Sequence, residues 1–130
     1  MNADPPQKIL ICDDDETLVD ILETLFRGQG FAVVTAANGI ECLERIEEET
    51  PDLLILDLDL PDMDGFQVLE ELSGDGAARA PIVIVLSGLE QEEDSARALE
   101  LGAKIFLSKP FTCGVLLQSV HALLGQNAPG

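Results

Sequence analysis

The sequence predicts an α/β fold of five strand-helix units, (βα)5, with one parallel sheet covered by helices on both faces. Two observations carry this. Five short runs rich in Val, Ile and Leu recur, and none alternates apolar with polar, as suits strands buried on both faces. Amphipathic stretches with helical spacing separate the runs. The length of 130 residues is that of one domain, able to bury roughly two-thirds of its unfolded surface.

The strand runs are Ile9 to Cys12, Phe31 to Val34, Leu53 to Leu56, Ile82 to Leu86 and Ile105 to Leu107. After the first, Leu18, Ile21, Leu22 and Leu25 fall on one helical face, and Gly28 and Gly30 can end that helix. Asp15 is its expected cap. Asn38 is the expected N-cap of a second helix, with Ile40, Leu43 and Ile46 inward and Glu41, Glu44, Glu47 and Glu48 outward. Phe66, Leu69 and Leu72 mark a third helix. Residues 90 to 100 mark a fourth, polar on most faces. Leu116, Val120, Leu123 and Leu124 mark the fifth. Ser73 to Ala80 is a turn-rich loop holding Gly74, Asp75 and Gly76. No repeat or internal linker is visible. Residues 1–7 are an expected flexible start, 8–124 the folded domain, and 125–130 a tail or the start of a linker. Right-handed crossovers restrict the topology but leave the strand order open.

Seven Lys+Arg against 25 Asp+Glu give a net charge of −18. With 46% hydrophobic residues the chain is too apolar for a disordered acidic tail. Its acidity argues against nucleic acid and anionic membranes as direct partners, since phosphate groups are bound by clustered Lys and Arg. The apolar stretch Ala80 to Leu86 is far short of the ~20 residues that span a bilayer. Met1 to Lys8 is polar, with no secretory signal. Cys12, Cys42 and Cys113 form no CxxC pair, so neither a disulfide framework nor a zinc site is expected. Cys12 and Cys42 are expected core residues, and a reducing cytoplasm is the expected compartment. The single histidine, His121, excludes a His-rich metal site.

Ligands of open α/β sheets bind beyond the carboxyl ends of the strands. Run one is followed by Asp13, Asp14 and Asp15, run three by Asp57 and Asp59, run four by Ser87, and run five by Ser108, Lys109 and Pro110. Two carboxylates ~4 Å apart repel by about 4 kcal/mol at an effective dielectric of 20. A cluster of them calls for a cation, and Mg²⁺ takes carboxylates, waters and phosphate oxygens. A carboxylate can also act as nucleophile and become an aspartyl-phosphate, with lysine and hydroxyl offsetting the phosphoryl oxygens. The edge is suited to metal-assisted phosphoryl transfer onto Asp.

Four segments then carry a family resemblance: Lys8-Ile-Leu-Ile-Cys-Asp-Asp-Asp15, Leu54-Ile-Leu-Asp-Leu-Asp-Leu-Pro-Asp-Met-Asp-Gly65, Pro81-Ile-Val-Ile-Val-Leu-Ser-Gly88 and Leu107-Ser-Lys-Pro-Phe111. In this order they closely resemble the receiver domain of two-component response regulators, over about residues 8 to 124. The resemblance implies a flavodoxin-like strand order 2-1-3-4-5. It implies Asp57 as phosphoacceptor, and Asp13 and Asp14 as the acidic pair holding Mg²⁺ (or Mn²⁺), with Asp14 the more direct ligand. Asp57 would add a side-chain oxygen to the metal and Asp59 its backbone carbonyl. Ser87 and Lys109 would meet the phosphoryl group, and Phe106 would stand at the aromatic switch position coupled to Ser87. The implied donor is a histidine kinase or histidine phosphotransfer protein, and the implied role is a signalling phosphoacceptor rather than a conventional enzyme. The downstream protein is left open, as is a monomer or a phosphorylation-dependent dimer.

The sequence departs from the family pattern at several positions. Phe106 replaces Tyr, so no hydroxyl distinguishes its inward and outward states. Gly88 replaces the usual Ala and is expected to leave phosphate more room. Asp59 and Leu89 occupy the positions that modulate phosphoryl lifetime, and apolar Leu89 cannot orient water. Lys104 and Ile105 stand where the winged-helix subfamily has an acidic pair, which argues against its dimer. The start at Met1 is read as a chain beginning here; a stand-alone protein and one domain of a longer chain both stay open.

Simpler readings stand beside these. Asp13 to Asp15 could serve only as helix caps, Lys109 as a surface lysine, Ser87 as a loop serine, and Phe106 as core packing alone. Asp57 to Gly65 does not suit a calcium loop, because Asp62 and Val68 occupy the positions that need Gly and Glu. The acids of the second helix, and Glu90, Glu92, Glu93 and Asp94, are expected solvated surface. Asp57-Leu-Asp59 also resembles the nucleophile motif of haloacid-dehalogenase-like phosphatases, but Pro61 and the early acidic pair do not match that family. A degenerate receiver, acting only as an interaction module, is the third alternative.

Overall fold

The computed structural model describes residues 6–73, 80–88 and 92–125. The strands are β1 Lys8–Cys12, β2 Ala32–Ala36, β3 Leu53–Asp57, β4 Ile82–Ser87 and β5 Ile105–Ser108. The helices are α1 Glu16–Gly28, α2 Gly39–Glu49, α3 Gly65–Leu72, α4 Glu92–Glu100 and α5 Cys113–Leu124. All strand pairs are parallel, in the order β2-β1-β3-β4-β5. Leu89, Glu90 and the Gly74-Asp75-Gly76 part of the expected loop lie outside the described residues.

The unbroken apolar runs follow from two separate cores. Ile9, Ile11, Ile55, Ile84 and Leu86 pack with α1 and α5 through Leu22, Phe26, Leu116 and Val120. Leu10, Cys12, Leu54, Leu56, Val83 and Val85 pack with α2, α3 and α4 through Cys42, Phe66, Leu69 and Ala98. Fully burying a side chain such as Leu22 or Phe26 contributes about 1.5–3 kcal/mol. Cys12 and Cys42 are buried, as expected, and Cys113 is exposed.

The elements differ from the expected ones at the margins. β2 starts one residue later than its run, since Phe31 is buried ahead of the strand, and it continues through Thr35 and Ala36. β2 and β5 are edge strands and only partly covered, so burial on both faces holds for β1, β3 and β4. Ile40 is 56% exposed rather than inward, because Cys42 takes the central buried position of α2. Ile21 is likewise half exposed, while Phe26 takes the buried place at the end of α1.

Helix starts follow their caps. Asp15 accepts from Thr17 and Leu18 N–H, Asn38 from Glu41 N–H, and Thr112 from Val115 N–H. Asp64 and Gln67 form a reciprocal capping box at α3. These starts sit just beyond the strand ends, and the loops between them carry the acids.

Candidate functional site

Register brings the site together. Cys12 pairs with Leu56, Asp57 with Leu86, and Ser87 with Ser108. The residues that follow β1 and β5, and Ser87 at the end of β4, therefore emerge beside Asp57, the last residue of β3. Backbone bonds extend the strands past their ends: Asp13 N–H to Ala36 carbonyl at 3.1 Å, Leu58 N–H to Leu86 carbonyl at 3.1 Å, and Lys109 N–H to Ser87 carbonyl at 2.7 Å. The Lys109-Pro110 peptide bond is cis.

Asp13 and Asp57 are only 3% and 2% exposed, and Ser87 is fully buried. Asp13 Oδ1 accepts from Asp15 N–H at 2.9 Å, and its Oδ2 from Lys109 Nζ at 3.1 Å. Asp57 Oδ1 accepts from Asp59 N–H at 3.1 Å and lies 3.5 Å from Lys109 Nζ. Asp14 is exposed. Carboxylate oxygens of Asp13, Asp14 and Asp57 lie within 4.8 Å of one another. Three acids this close fit a hard divalent cation with oxygen ligands, which offsets their repulsion.

The electrostatics follow from this crowding. Burial is the main cause that pushes the Asp57 carboxyl up to about 6. Asp13 pushes the same way, while the Asp59 N–H and the Lys109 charge pull it down. Burial disfavours the Lys109 ammonium, but the hydrogen bond to Asp13 and the charges of Asp57 and Asp13 outweigh it, so Lys109 stays above the ordinary lysine value. Cys12, next in sequence to Asp13, is held as a neutral thiol by its hydrogen bond with Cys42 and by burial.

Asp13, Asp14, Asp57, Ser87 and Lys109 thus converge on one edge. Asp59 is exposed and contributes its N–H to Asp57. Phe106 is half-buried against the cluster of Val83, Val85 and Ala98. Among the described residues, a Cβ added at Gly88 would meet nothing within 4 Å.

Two features escaped the sequence reading. Asp13, Asp14, Glu16, Asp20, Glu23 and Glu41 line one depression beside the site. The spacing of Glu16, Asp20 and Glu23 along one helical face was its sequence signal. The second is Asp62, which binds the start of α2 from 22 and 23 residues away. No local pattern marks such a contact.

A parallel α/β sheet in the order β2-β1-β3-β4-β5, with buried acids, a hydroxyl and a lysine at its carboxyl edge, matches the class of signalling domain that the sequence motifs resemble. The model of the response regulator receiver domain family matches residues 9–121. The chain belongs to that family and is a receiver domain of a two-component response regulator. It is 37% identical over 118 residues to the alkaline phosphatase synthesis transcriptional regulatory protein PhoP of Bacillus subtilis, covering 91% of this chain and 48% of that protein. The chain therefore spans about half the length of that curated relative. The CheY-like receiver domain protein of Methanospirillum hungatei superimposes with TM-score 0.85 at 31% identity, covering 92% of this chain and 94% of the other. The BeF3-activated receiver domain of RstA from Klebsiella pneumoniae gives TM-score 0.83 at 28% identity, covering 92% and 100%. The comparisons do not favour the phosphatase alternative. No helix among the described residues is long and apolar enough to cross a membrane.

Proposed function

We propose that residues 8–124 form the receiver unit and that it takes a phosphoryl group on Asp57 from a histidine kinase or histidine phosphotransfer protein. A carboxylate oxygen of Asp57 attacks phosphorus, the bond from phosphorus to the donor imidazole breaks, and that imidazole leaves with the electron pair and takes up a proton. Asp13, Asp14 and Asp57, with the Asp59 carbonyl, would hold Mg²⁺ or Mn²⁺, which supplies neutralisation of the phosphoryl oxygens. Lys109 shifts its charge from the carboxylates to the new phosphoryl group, and the Ser87 hydroxyl turns toward it. Phe106 follows Ser87 and relays the change to a protein partner. A cytoplasmic location accords with this donor and with three free thiols.

The observation that carries the reading is the nearly buried Asp57 carboxylate between Lys109 and two further acids. The engaged oxygens of Asp13 and the open carboxylate of Asp14 support Asp14 as the more direct metal ligand. Together, Asp57, Asp14 and Lys109 also speak against a degenerate receiver. The acid-lined depression suits a donor with a basic face, steered by charge at low salt. Acetyl phosphate with Mg²⁺ is expected to add one phosphoryl group, read by intact-mass spectrometry. A modification that persists in Asp57→Ala would refute the assignment.

A further inference from the structure

Asp62 ties the loop between β3 and α3 to a separate helix. Its Oδ1 accepts from Gly39 N–H at 2.8 Å and its Oδ2 from Ile40 N–H at 3.0 Å. These are the first two amides of α2. The next, Glu41 N–H, donates to the Asn38 side chain at 2.8 Å, and Cys42 N–H makes the first helical bond, to the Asn38 carbonyl at 2.9 Å. A helix start leaves four amides without helical partners, and here two of them are satisfied from a distant loop. A carboxylate is also favoured by the charge of the helix start. The bonds to Ile40 and Gly39 hold the Asp62 carboxyl below the ordinary range.

Packing reinforces the tie. A Cβ on Gly39 would collide with the Met63 side chain, so loop and helix meet without a gap. The loop's other anchor is at the acidic site. Gly65 N–H donates to the Leu58 carbonyl at 3.0 Å, and a Cβ on Gly65 would lie 2.9 Å from the Asp57 carbonyl oxygen. Between these anchors stands Asp59, whose N–H holds Asp57 Oδ1.

We propose that Asp62 is a positioning residue whose grip on α2 sets the loop that aims the Asp57 carboxylate and the Asp59 carbonyl at the divalent cation. This rests on the divalent-cation site of the reading above. Asp62 itself touches no reacting atom. Releasing it frees one end of the loop, and the cation then has to order that end when it binds. A residue that supports metal ligands from behind typically changes metal affinity by about 10–100-fold.

The test is an NMR titration of the nitrogen-15-labelled chain with MgCl₂. Asp62→Ala is expected to raise the Mg²⁺ dissociation constant about tenfold. Asp62→Asn keeps one acceptor oxygen and is expected to fall between it and the unaltered protein. Gly39→Ala displaces Met63 from the helix side with Asp62 intact, and is expected to weaken Mg²⁺ in the same direction. Thr112→Ala removes a helix cap elsewhere and controls for lost stability. Unchanged Mg²⁺ affinity in a folded Asp62→Ala or Asp62→Asn protein overturns the proposal, as does equal weakening by Thr112→Ala. Phosphorylation of the unaltered chain by acetyl phosphate is scored separately. Its failure sinks the phosphoacceptor reading while the Mg²⁺ series still decides Asp62; no Mg²⁺ binding at all removes both.

Discussion

Lys109 is closer to Asp13 than to Asp57: its Nζ stands 3.1 Å from Asp13 Oδ2 and 3.5 Å from Asp57 Oδ1. One ammonium thus serves two nearly buried carboxylates, and the stronger hydrogen bond goes to Asp13. Asp57 keeps a raised pKa of about 6, with burial as its first cause. The two neighbours act on Asp57 with opposite sign. Lys109→Ala is expected to move its titration higher, and Asp13→Asn to move it lower. Carbon-13 NMR of the Asp57 carboxyl in Mg²⁺-free buffer measures both, and movement of the two variants in the same direction would contradict this account.

The same shift makes stability depend on pH. The folded protein holds the Asp57 proton up to about pH 6, whereas an unfolded aspartate releases it near 3.8. Between these values the folded state binds more protons, so stability falls as pH rises. At about 1.4 kcal/mol per pH unit, ionising Asp57 in the metal-free protein costs up to about 3 kcal/mol. Asp57→Asn removes that cost. Its stabilisation is expected in full above pH 6 and to fade as pH drops toward 4. Urea unfolding of both proteins across this range checks it; a gain that grows toward low pH would reverse the sign.

The strands and the five site residues were legible because they depend on local signals. Apolar runs mark Leu53 to Leu56 and Ile82 to Leu86, and an acid, a serine or a Ser-Lys pair follows each relevant run. Helix faces were less legible. Ile40 has the right spacing to be buried, yet Cys42 takes that place, because hydrophobic spacing does not say which apolar residue lies nearest the sheet. Edge strands were not distinguishable, since the strand order came from resemblance and not from the runs themselves. Asp62 read only as a calcium-loop mismatch. Its partners Gly39 and Ile40 are brought to it by the topology alone.

Gly65 is held by contact rather than by backbone angle. An added Cβ would lie 2.7 Å from Leu58 Cα, and backbone atoms cannot swing aside as a flexible side chain can. Gly65→Ala therefore forces the loop away from β3. It is expected to destabilise by about 1–3 kcal/mol, as overpacking does, and to slow modification of Asp57. Thermal unfolding and the acetyl phosphate rate measure the two effects. A fully stable Gly65→Ala protein would mean that the loop has room to yield.

Asp14 and Asp15 are neighbours with different expected failures. Asp15 accepts from Thr17 and Leu18 N–H, so Asp15→Ala loses an N-cap at a cost of about 1 kcal/mol. That corresponds to roughly 3–6 °C in melting temperature for a domain of this size. Its response to Mg²⁺ is expected to persist, because its side chain lies outside the cluster of Asp13, Asp14 and Asp57. Asp14→Ala removes an exposed carboxylate from that cluster and relieves repulsion, so the metal-free protein is expected to melt no lower than the unaltered one. What it loses is stabilisation by Mg²⁺, which raises the melting temperature only of a protein that binds the ion when folded. Melting curves of both variants with and without MgCl₂ separate the roles. Equal Mg²⁺ responses in Asp14→Ala and Asp15→Ala would refute Asp14 as the metal ligand.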